Sequence, residues 1–560
     1  MTDNKATEST SGQKSDVPDA DANKNGSAST SSGEKGKGKA VDTGKAPSKS
    51  GPTIELSTKA AQALMESNPA LKGEFAGLDK EKAAEMMRKM DISELLAGLA
   101  VNPKNQKDMA SYKFWQTQPV IRFDDKGEIV DGPIKEIDIE TVSKTPAPMI
   151  DGFEWVTLDL NSDQETQELY ELLTDHYVED DSEMFRFNYS KDFLNWALKA
   201  PGWTSDWHVG VRASKSRKLV AAICGIPLEI CVRGKTIKSV GIDFLCVHKK
   251  LRAKRLAPVL IKEITRRCYL KGVFQAVYTV GIVLPTPISS CRYYHRALDW
   301  QKLYEVGFSG LPTGSTKARQ IARNQLPTET STPGLRPMQA KDISAVSNLL
   351  NRYMKRFDLS QTFTEEEISH LFIDKEQTSE TVVYSFVVEE QDTHEITDFV
   401  SFYSLESSVI QHEKHNNVRA AYLYYYATET AFAEKEKGLK ERLLLLMNDA
   451  LIIAKKEQFD VFNALTLHDN PLFLEKLKFG AGDGQLHYYL FNYRTAPISG
   501  GVDSHNEPDE RKRLVYSVTS SSRDLTFFQA EFLDKTTTKN KATLAGGAIL
   551  IIQKPVEGAG

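Results

Sequence analysis

Ile242-Asp-Phe-Leu-Cys-Val-His-Lys-Lys-Leu-Arg-Ala-Lys-Arg-Leu-Ala-Pro258 joins an apolar stretch to a helical pattern through a basic loop. Val240–Val247 predicts a buried strand. Five basic side chains then fall within the seven positions Lys249–Arg255. A helix follows, with Leu256, Val259, Leu260, Ile264 and Arg267 at i, i+3, i+4 spacing. Pro258 sits in its first turn, where proline removes no hydrogen bond. Gln275–Val280 predicts a closing strand. A helix N-terminus presents unpaired N–H groups and partial positive charge, and Lys and Arg beside it make a phosphate site. The plainer alternative is a solvated basic loop, but its place between a buried strand and a helix start favours anion binding. No glycine-rich P-loop is present, so a CoA-type pyrophosphate fits better than the γ-phosphate of ATP.

A second segment repeats this layout about 180 residues later. Ala420–Thr428 predicts a strand, Glu434–Lys440 a charged loop, Leu443–Ala454 a helix and Val461–Leu467 a strand. Two related α/β halves are therefore expected, joined near Thr313–Pro337, where Gly, Thr and Pro cluster. Residues 1–52 are polar and low in complexity, with a lysine-glycine run at Lys35–Lys45, and are expected to be disordered. They read as a solubilising tail or a weak tether to an acidic partner such as a ribosome. Residues 53–110 read as a linker with short helices, from Ala60, Ala63, Leu64 and from Met86, Met87, Met90, Leu95, Leu96.

The whole chain of 560 residues carries 71 basic and 76 acidic side chains, a formal net charge of -5. That balance argues against a dedicated nucleic-acid binder. Its five cysteines include no C-x-x-C pair, so neither a disulfide scaffold nor a cysteine-rich zinc module is expected, and a reducing compartment fits better. The first fifty residues lack the apolar core of a signal peptide, and no stretch reaches the ~18–20 apolar residues of a membrane helix.

The quoted segment resembles the signature of the eukaryotic glycylpeptide N-myristoyltransferases in their fungal form. Further matches are Tyr112-Lys-Phe-Trp-Gln-Thr-Gln-Pro-Val120, Ile261-Lys-Glu-Ile-Thr-Arg-Arg267, Cys291-Arg-Tyr-Tyr-His-Arg296, Ala427-Thr-Glu-Thr-Ala431, Leu465-Thr-Leu-His-Asp-Asn-Pro-Leu-Phe-Leu474 and Lys478-Phe-Gly-Ala-Gly-Asp-Gly484. The resemblance runs from about Ser111 to Arg513. It implies an α/β fold of two N-acetyltransferase-like (GNAT-like) halves in a pseudo-twofold arrangement. Residues 111–312 would bind myristoyl-CoA, 313–500 would shape a peptide groove, and 501–560 would form a divergent tail. The implied reaction moves a C14 acyl group from a CoA thioester to the amine of an N-terminal glycine by direct attack. Myristoyl-CoA would be a co-substrate, with no permanently bound cofactor and no metal. A cytoplasmic monomer acting on glycine-first peptides and nascent proteins is expected.

By the same resemblance, the backbone N–H groups of Phe244 and Leu245 form the oxyanion hole. Lys250, Leu251, Arg252, Ala253, Lys254 and Arg255 match positions around the CoA phosphates, and Cys246, Val247, Leu256 and Ala257 match further cofactor-binding positions. The family usually has Ser at the place of Ala253. Tyr112, Lys113, Phe114 and Trp115 match its second cofactor contact, although an aromatic pair such as Phe114-Trp115 on its own reads as core. Thr279, Tyr293, His295, Asn470, Asp483 and Gly484 match peptide positions. His468 and Asp469 could suggest a hydrolase triad, but no G-x-S-x-G elbow accompanies them. Cys246 could in principle form an acyl-enzyme; a strand cysteine is more often a small core residue.

Two departures matter. Gly241 and Asp243 stand where the family has Glu and Asn, and the asparagine lies near the reacting amine. Asp243 could hold the ammonium or replace a base. The family's base is its own C-terminal carboxylate, closing a short Gly-rich apolar stretch, and residues 514–560 have no such character. The expectation is that this tail reflects a retained intron or a wrongly predicted last exon. Two rivals follow: an N-acyltransferase of another chain length, and a catalytically impaired protein that binds acyl-CoA or peptide without turnover.

Overall fold

The first half opens with β1 (Phe153–Thr157), α1 (Asp163–His176), β2 (Phe185–Asn188), α2 (Lys191–Leu198) and β3 (His208–Ala213). It continues through β4 (Leu219–Val232), β5 (Lys235–Val247), α3 (Leu256–Leu270), β6 (Gln275–Val280) and β7 (Ser289–Ala297). Helices α4 (Trp300–Glu305) and α5 (Lys317–Asn324) lead to the second half. That half runs β8 (Leu335–Pro337), α6 (Ile343–Met354), β9 (Leu359–Gln361), α7 (Glu365–Phe372), β10 (Val383–Glu389) and β11 (Ile396–Val409). It ends with β12 (Asn417–Thr428), α8 (Leu439–Lys456), β13 (Val461–Leu465) and β14 (Gly480–Phe491). The computed structural model describes residues 109–510, apart from 126, 128, 179–183, 374–379, 411, 504–505 and the side chain of Ala253. The expectations for residues 1–52, for nearly all of 53–110 and for 514–560 lie outside the described residues.

Element by element the halves correspond, and all the strands share one sheet. Its main path is β1-β3-β4-β5-β6-β14-β7-β13-β12-β11-β10-β8, with β2 on β11 and β9 on β4. Each half has one parallel contact, β5 with β6 and β12 with β13. The exchanges are reciprocal. The last strand of the first half, β7, pairs with β13, and the last strand of the second, β14, pairs with β6. In the same way β2 crosses to β11 and β9 crosses to β4. The α/β fold of two like halves in a pseudo-twofold arrangement is met. The crossings interlock the halves through one continuous core that includes Val277, Tyr294, Phe462 and Tyr489.

Local sequence explains the boundaries that place the site. Arg255 adopts φ 57° ahead of α3. The helix then buries Leu256, Ala257, Leu260, Glu263, Ile264 and Cys268 on one face, and Gly272 at φ 75° follows its end. The stretch read as a basic loop, Lys249–Arg255, is mostly a 3-10 helix, Lys249–Lys254, capped by the His248 ring accepting from the Lys250 N–H at 3.2 Å. The charged loop before α8 also contains short 3-10 turns, and Gly438 at φ 83° starts the helix. Buried Asp449 on α8 accepts from the Ser331 and Thr332 N–H groups at 2.9 and 2.8 Å, pinning the connection between halves.

Glu263 is the buried charge that fixes α3. It accepts from Arg266 at 2.7 and 2.8 Å and from Arg267 at 2.7 Å, while Arg267 reaches Thr157 on β1 at 2.8 Å. Burial works to raise the Glu263 pKa, but the two guanidinium groups overcome it and hold it below its ordinary value. A lowered folded-state pKa means the stabilisation is present at neutral pH and is lost as pH falls through the carboxylate range. Glu263→Gln is expected to cost about 3 kcal/mol by leaving two half-buried cations without their anion. Urea midpoints at pH 7 and pH 4 check this: the variant's deficit should shrink at the lower pH.

Candidate active site

Beyond Gly241 and Val277 the parallel register of β5 and β6 ends. The strands part there, and an apolar cavity opens between them and α3. It encloses about 770 Å³ of empty space, its mouth included. Ile261, Ile264, Thr265 and Cys268 line it from one face of α3; Leu245, Tyr278 and Val280 line it from the strands. Trp115 closes one side. Its ring lies parallel to Tyr278 at 5.8 Å, and Tyr278 stacks on Tyr489 at 5.0 Å. Tyr112 is buried and donates to the Val283 carbonyl at 3.0 Å. Of the four residues Tyr112–Trp115, two are therefore core, Phe114 is half-buried and Lys113 is exposed.

At the same level β5 bulges. The β4–β5 register pairs Ala222 with Cys246 and Cys224 with Asp243, leaving Phe244 and Leu245 opposite Ile223 alone. Phe244 takes φ 51°, a conformation costly for a non-glycine residue, and its wholly buried ring packs edge-on against Tyr189 at 5.1 Å. The second half has the matching bulge: Val400 pairs with Tyr426 and Phe402 with Leu423, leaving Tyr424 and Tyr425 opposite Ser401. There the Ser401 hydroxyl accepts from the Tyr425 N–H at 3.1 Å and donates to its carbonyl at 2.8 Å. Ile223 offers the first bulge no such group. One bulge is filled by a hydroxyl from the facing strand, and the other has the apolar side chain of Ile223 in that place.

Past the bulge lies the cationic helix start. Lys250, Lys254 and Arg255 are exposed, whereas Leu256 and Ala257 are buried. Arg252 turns inward, donating to the His176 carbonyl at 2.5 Å and the Val247 carbonyl at 3.4 Å, so it braces the loop. Behind it the His176 and His248 rings are 3.8 Å apart. Burial, with His248 nearby, pushes His176 down to about 4, so it adds no charge at neutral pH. Cys246 is buried with its thiol toward the Leu172 carbonyl, and burial pushes it up to about 12, a poor nucleophile. Gly241 is accommodated by packing: a Cβ there would press on Leu228 and Ile226.

The remaining residues gather at the junction of the halves. Asp243 and Thr279 are 1% and 2% exposed and line the cavity where the strands part. A second, smaller pocket is lined by Tyr293 on β7, Tyr422 and Tyr424 on β12, and His468 and Asn470 after β13. His295 lies parallel to Tyr293 at 6.4 Å and shares a 2.7 Å hydrogen bond with Asn463. Asn470 accepts from the Tyr426 hydroxyl at 2.7 Å and donates to the Leu465 carbonyl at 2.8 Å. Asp483 and Gly484 are exposed on a β14 bulge beside these rings, and a Cβ at the preceding Gly482 would strike the His295 ring. Asp469 is engaged by Arg356 at 2.7 Å and Tyr353 at 2.5 Å, and burial drives His468 down to about 3, an arrangement unlike a hydrolase triad.

The sequence reading missed Ile223 and Ser401, whose places depend on strand register, and Tyr278 and Tyr422, which look like ordinary strand aromatics. The cavity face of α3 did carry a signal in the spacing of Ile261, Ile264, Thr265 and Cys268.

The chain matches the family models of Myristoyl-CoA:protein N-myristoyltransferase, the N-terminal domain over residues 133–291 and the C-terminal domain over 305–518. A glycylpeptide N-tetradecanoyltransferase of Ajellomyces capsulatus is 71% identical over 469 residues, 83% of this chain and 89% of that one. Its Saccharomyces cerevisiae counterpart is 50% identical over 420 residues, 73% and 92% of the respective chains. A crystal structure of Saccharomyces cerevisiae N-myristoyltransferase with bound myristoyl-CoA matches at a TM-score of 0.70 and 50% identity, covering 72% of this chain and 99% of that one. Bulge, cavity, cationic helix start and extended identity agree: this chain belongs to the myristoyl-CoA:protein N-myristoyltransferase family.

Proposed function

We propose that this chain transfers myristate from myristoyl-CoA to the N-terminal glycine amine of proteins. The observation that carries the reading is the sequence of environments along β5 and α3: an apolar cavity, a bulge opposite Ile223, then a helix start bearing exposed Lys250, Lys254 and Arg255. A molecule with a long acyl chain, a thioester and a pyrophosphate presents the same three chemistries in the same order. Myristoyl-CoA is a co-substrate in this reading. The acyl chain fills the cavity, and the thioester oxygen meets the Phe244 and Leu245 N–H groups, each worth roughly 3–4 kcal/mol as negative charge develops. The phosphates meet the helix start and its cations.

The glycine-first peptide lies across Tyr293, His295 and Asn470, with Thr279 near its amine and Asp483 and Gly484 meeting basic residues further along. Acyl-CoA binds first and helps order this groove. The protein acts as a cytoplasmic monomer on nascent or newly processed chains, with residues 1–52 as a weak ribosome tether. Five free thiols fit a reducing compartment.

The alternative of binding without turnover rests on residues 514–560, which lie outside the described residues. A transfer assay separates the readings: the chain is mixed with decanoyl-, myristoyl- or palmitoyl-CoA and an octapeptide beginning with Gly or Ala, and acyl-peptide is followed by mass. Glycine-dependent product, highest with the C14 donor, is expected. Equal or greater use of another chain length, or no product from protein that still binds myristoyl-CoA, would overturn it.

A further inference from the structure

Resting on the proposed placement of the CoA phosphates, we infer that His248 is a positioning residue for acyl-CoA binding: it holds the cationic turn Lys249–Lys254 in the shape that meets the phosphates. The cations of Lys249–Arg255 lie within one short stretch and repel one another, so without an anion the turn tends to open. A turn already held closed binds phosphate without a further ordering cost. His248 stands where β5 leaves the sheet and makes three attachments there. Its N–H donates to the Val220 carbonyl on β4 at 2.9 Å. Its carbonyl accepts from the Leu251 N–H at 2.8 Å, and its ring Nδ1 accepts from the Lys250 N–H at 3.2 Å. The first residue after the strand thus ties the turn to the sheet and caps it.

The last residue of α1 supports this arrangement. The His176 ring lies 3.8 Å from the His248 ring, and the His176 carbonyl accepts from Arg252 at 2.5 Å. His176 therefore braces both the cap and a cation of the turn. Burial first, then the charges of Lys218 and Lys250, lower the His248 pKa against the pull of Asp175. The ring is neutral at pH 7, and Nδ1 keeps the lone pair that the cap needs. The β5 bulge has its own packing: the Phe244 ring meets Tyr177 at 5.9 Å and Tyr189 at 5.1 Å. Loss of the cap should therefore act on acyl-CoA binding more than on transfer.

His248→Asn keeps a side-chain acceptor of the kind usual at such caps, whereas His248→Leu keeps bulk and removes the acceptor. Full-length wild type and both variants are titrated calorimetrically with CoA and with myristoyl-CoA. Turnover with the glycine-first octapeptide gives KM for myristoyl-CoA and kcat. The Leu variant should bind CoA about tenfold more weakly and raise KM by a similar factor, with kcat at saturation within about threefold of wild type. The Asn variant should stay within about threefold of wild type in every measurement. CoA affinity of the Leu variant within about twofold of wild type, or a loss on kcat with KM unchanged, would overturn the assignment. So would an Asn variant more than about threefold weaker for CoA, a result that stands whether or not the Leu variant folds. A wild-type chain that binds CoA but yields no glycine-dependent product is a different result. It removes the transfer reading, while the CoA titrations still rank the variants.

Discussion

Ile223→Ser is expected to lower kcat by about 100-fold or more, with myristoyl-CoA affinity changed little. The second half shows why. Ser401 sits opposite the β12 bulge, and its hydroxyl takes up the Tyr425 N–H at 3.1 Å. Ile223 holds the corresponding place opposite Phe244 and Leu245. A hydroxyl there would accept from the Leu245 N–H, and the thioester oxygen would lose that donor as it becomes negative. Removal of one such donor costs roughly 10²–10³ in kcat. Because Ile223 is fully buried, its truncation also costs stability, about 2–4 kcal/mol. Ile223→Ala separates the effects: it makes the same space without the hydroxyl. Saturating kinetics of the two variants, compared with each other, isolate the hydroxyl. Equal kcat for the Ser and Ala variants would show that the bulge donors are not used.

Reversing charge at the helix start should have an effect of similar size, on binding. Lys250 and Lys254 are exposed on the 3-10 turn leading into α3. Hydrogen bonds to charged groups contribute about 1.5–3 kcal/mol each when formed, and exposure places these two at the low end. The Lys250→Glu, Lys254→Glu double variant should therefore bind myristoyl-CoA about 100-fold more weakly at low salt. The wild-type affinity should fall with added salt, and the double variant's should fall less. Neither side chain packs in the core, so thermal stability should barely move. Calorimetric titration at two salt concentrations checks both statements; an affinity within threefold of wild type would place the phosphates elsewhere.

Much of the first half was legible because its signals are local. Gln275–Val280 was read to its ends, and the start of α3 at Leu256 follows from a basic run, a proline in the first turn and one apolar face. The repeated strand–loop–helix–strand pattern pointed to two like halves. What was not legible depends on pairing between distant strands. Nothing near Ser289–Ala297 says that β7 leaves its own half to pair with β13, and nothing near Gly480–Phe491 says that β14 makes the reverse crossing. The bulge is a property of the β4–β5 register, so Ile223 carries no mark of its position when read alone. The same holds for Arg252, which as sequence is one more cation and in the fold is turned toward two carbonyls. Trp115 illustrates the converse: its aromatic character suggested core, and it is both buried and a wall of the cavity.

The central claim is that the thioester oxygen rests in the β5 bulge with the acyl chain between β5 and β6. A crystal structure with a non-hydrolysable ketone analogue of myristoyl-CoA tests it directly. The account predicts the ketone oxygen about 3 Å from the backbone nitrogens of Phe244 and Leu245, with the alkyl chain against Ile261, Ile264 and Tyr278. A ketone oxygen bound away from both amides, or an alkyl chain outside this cavity, would contradict it.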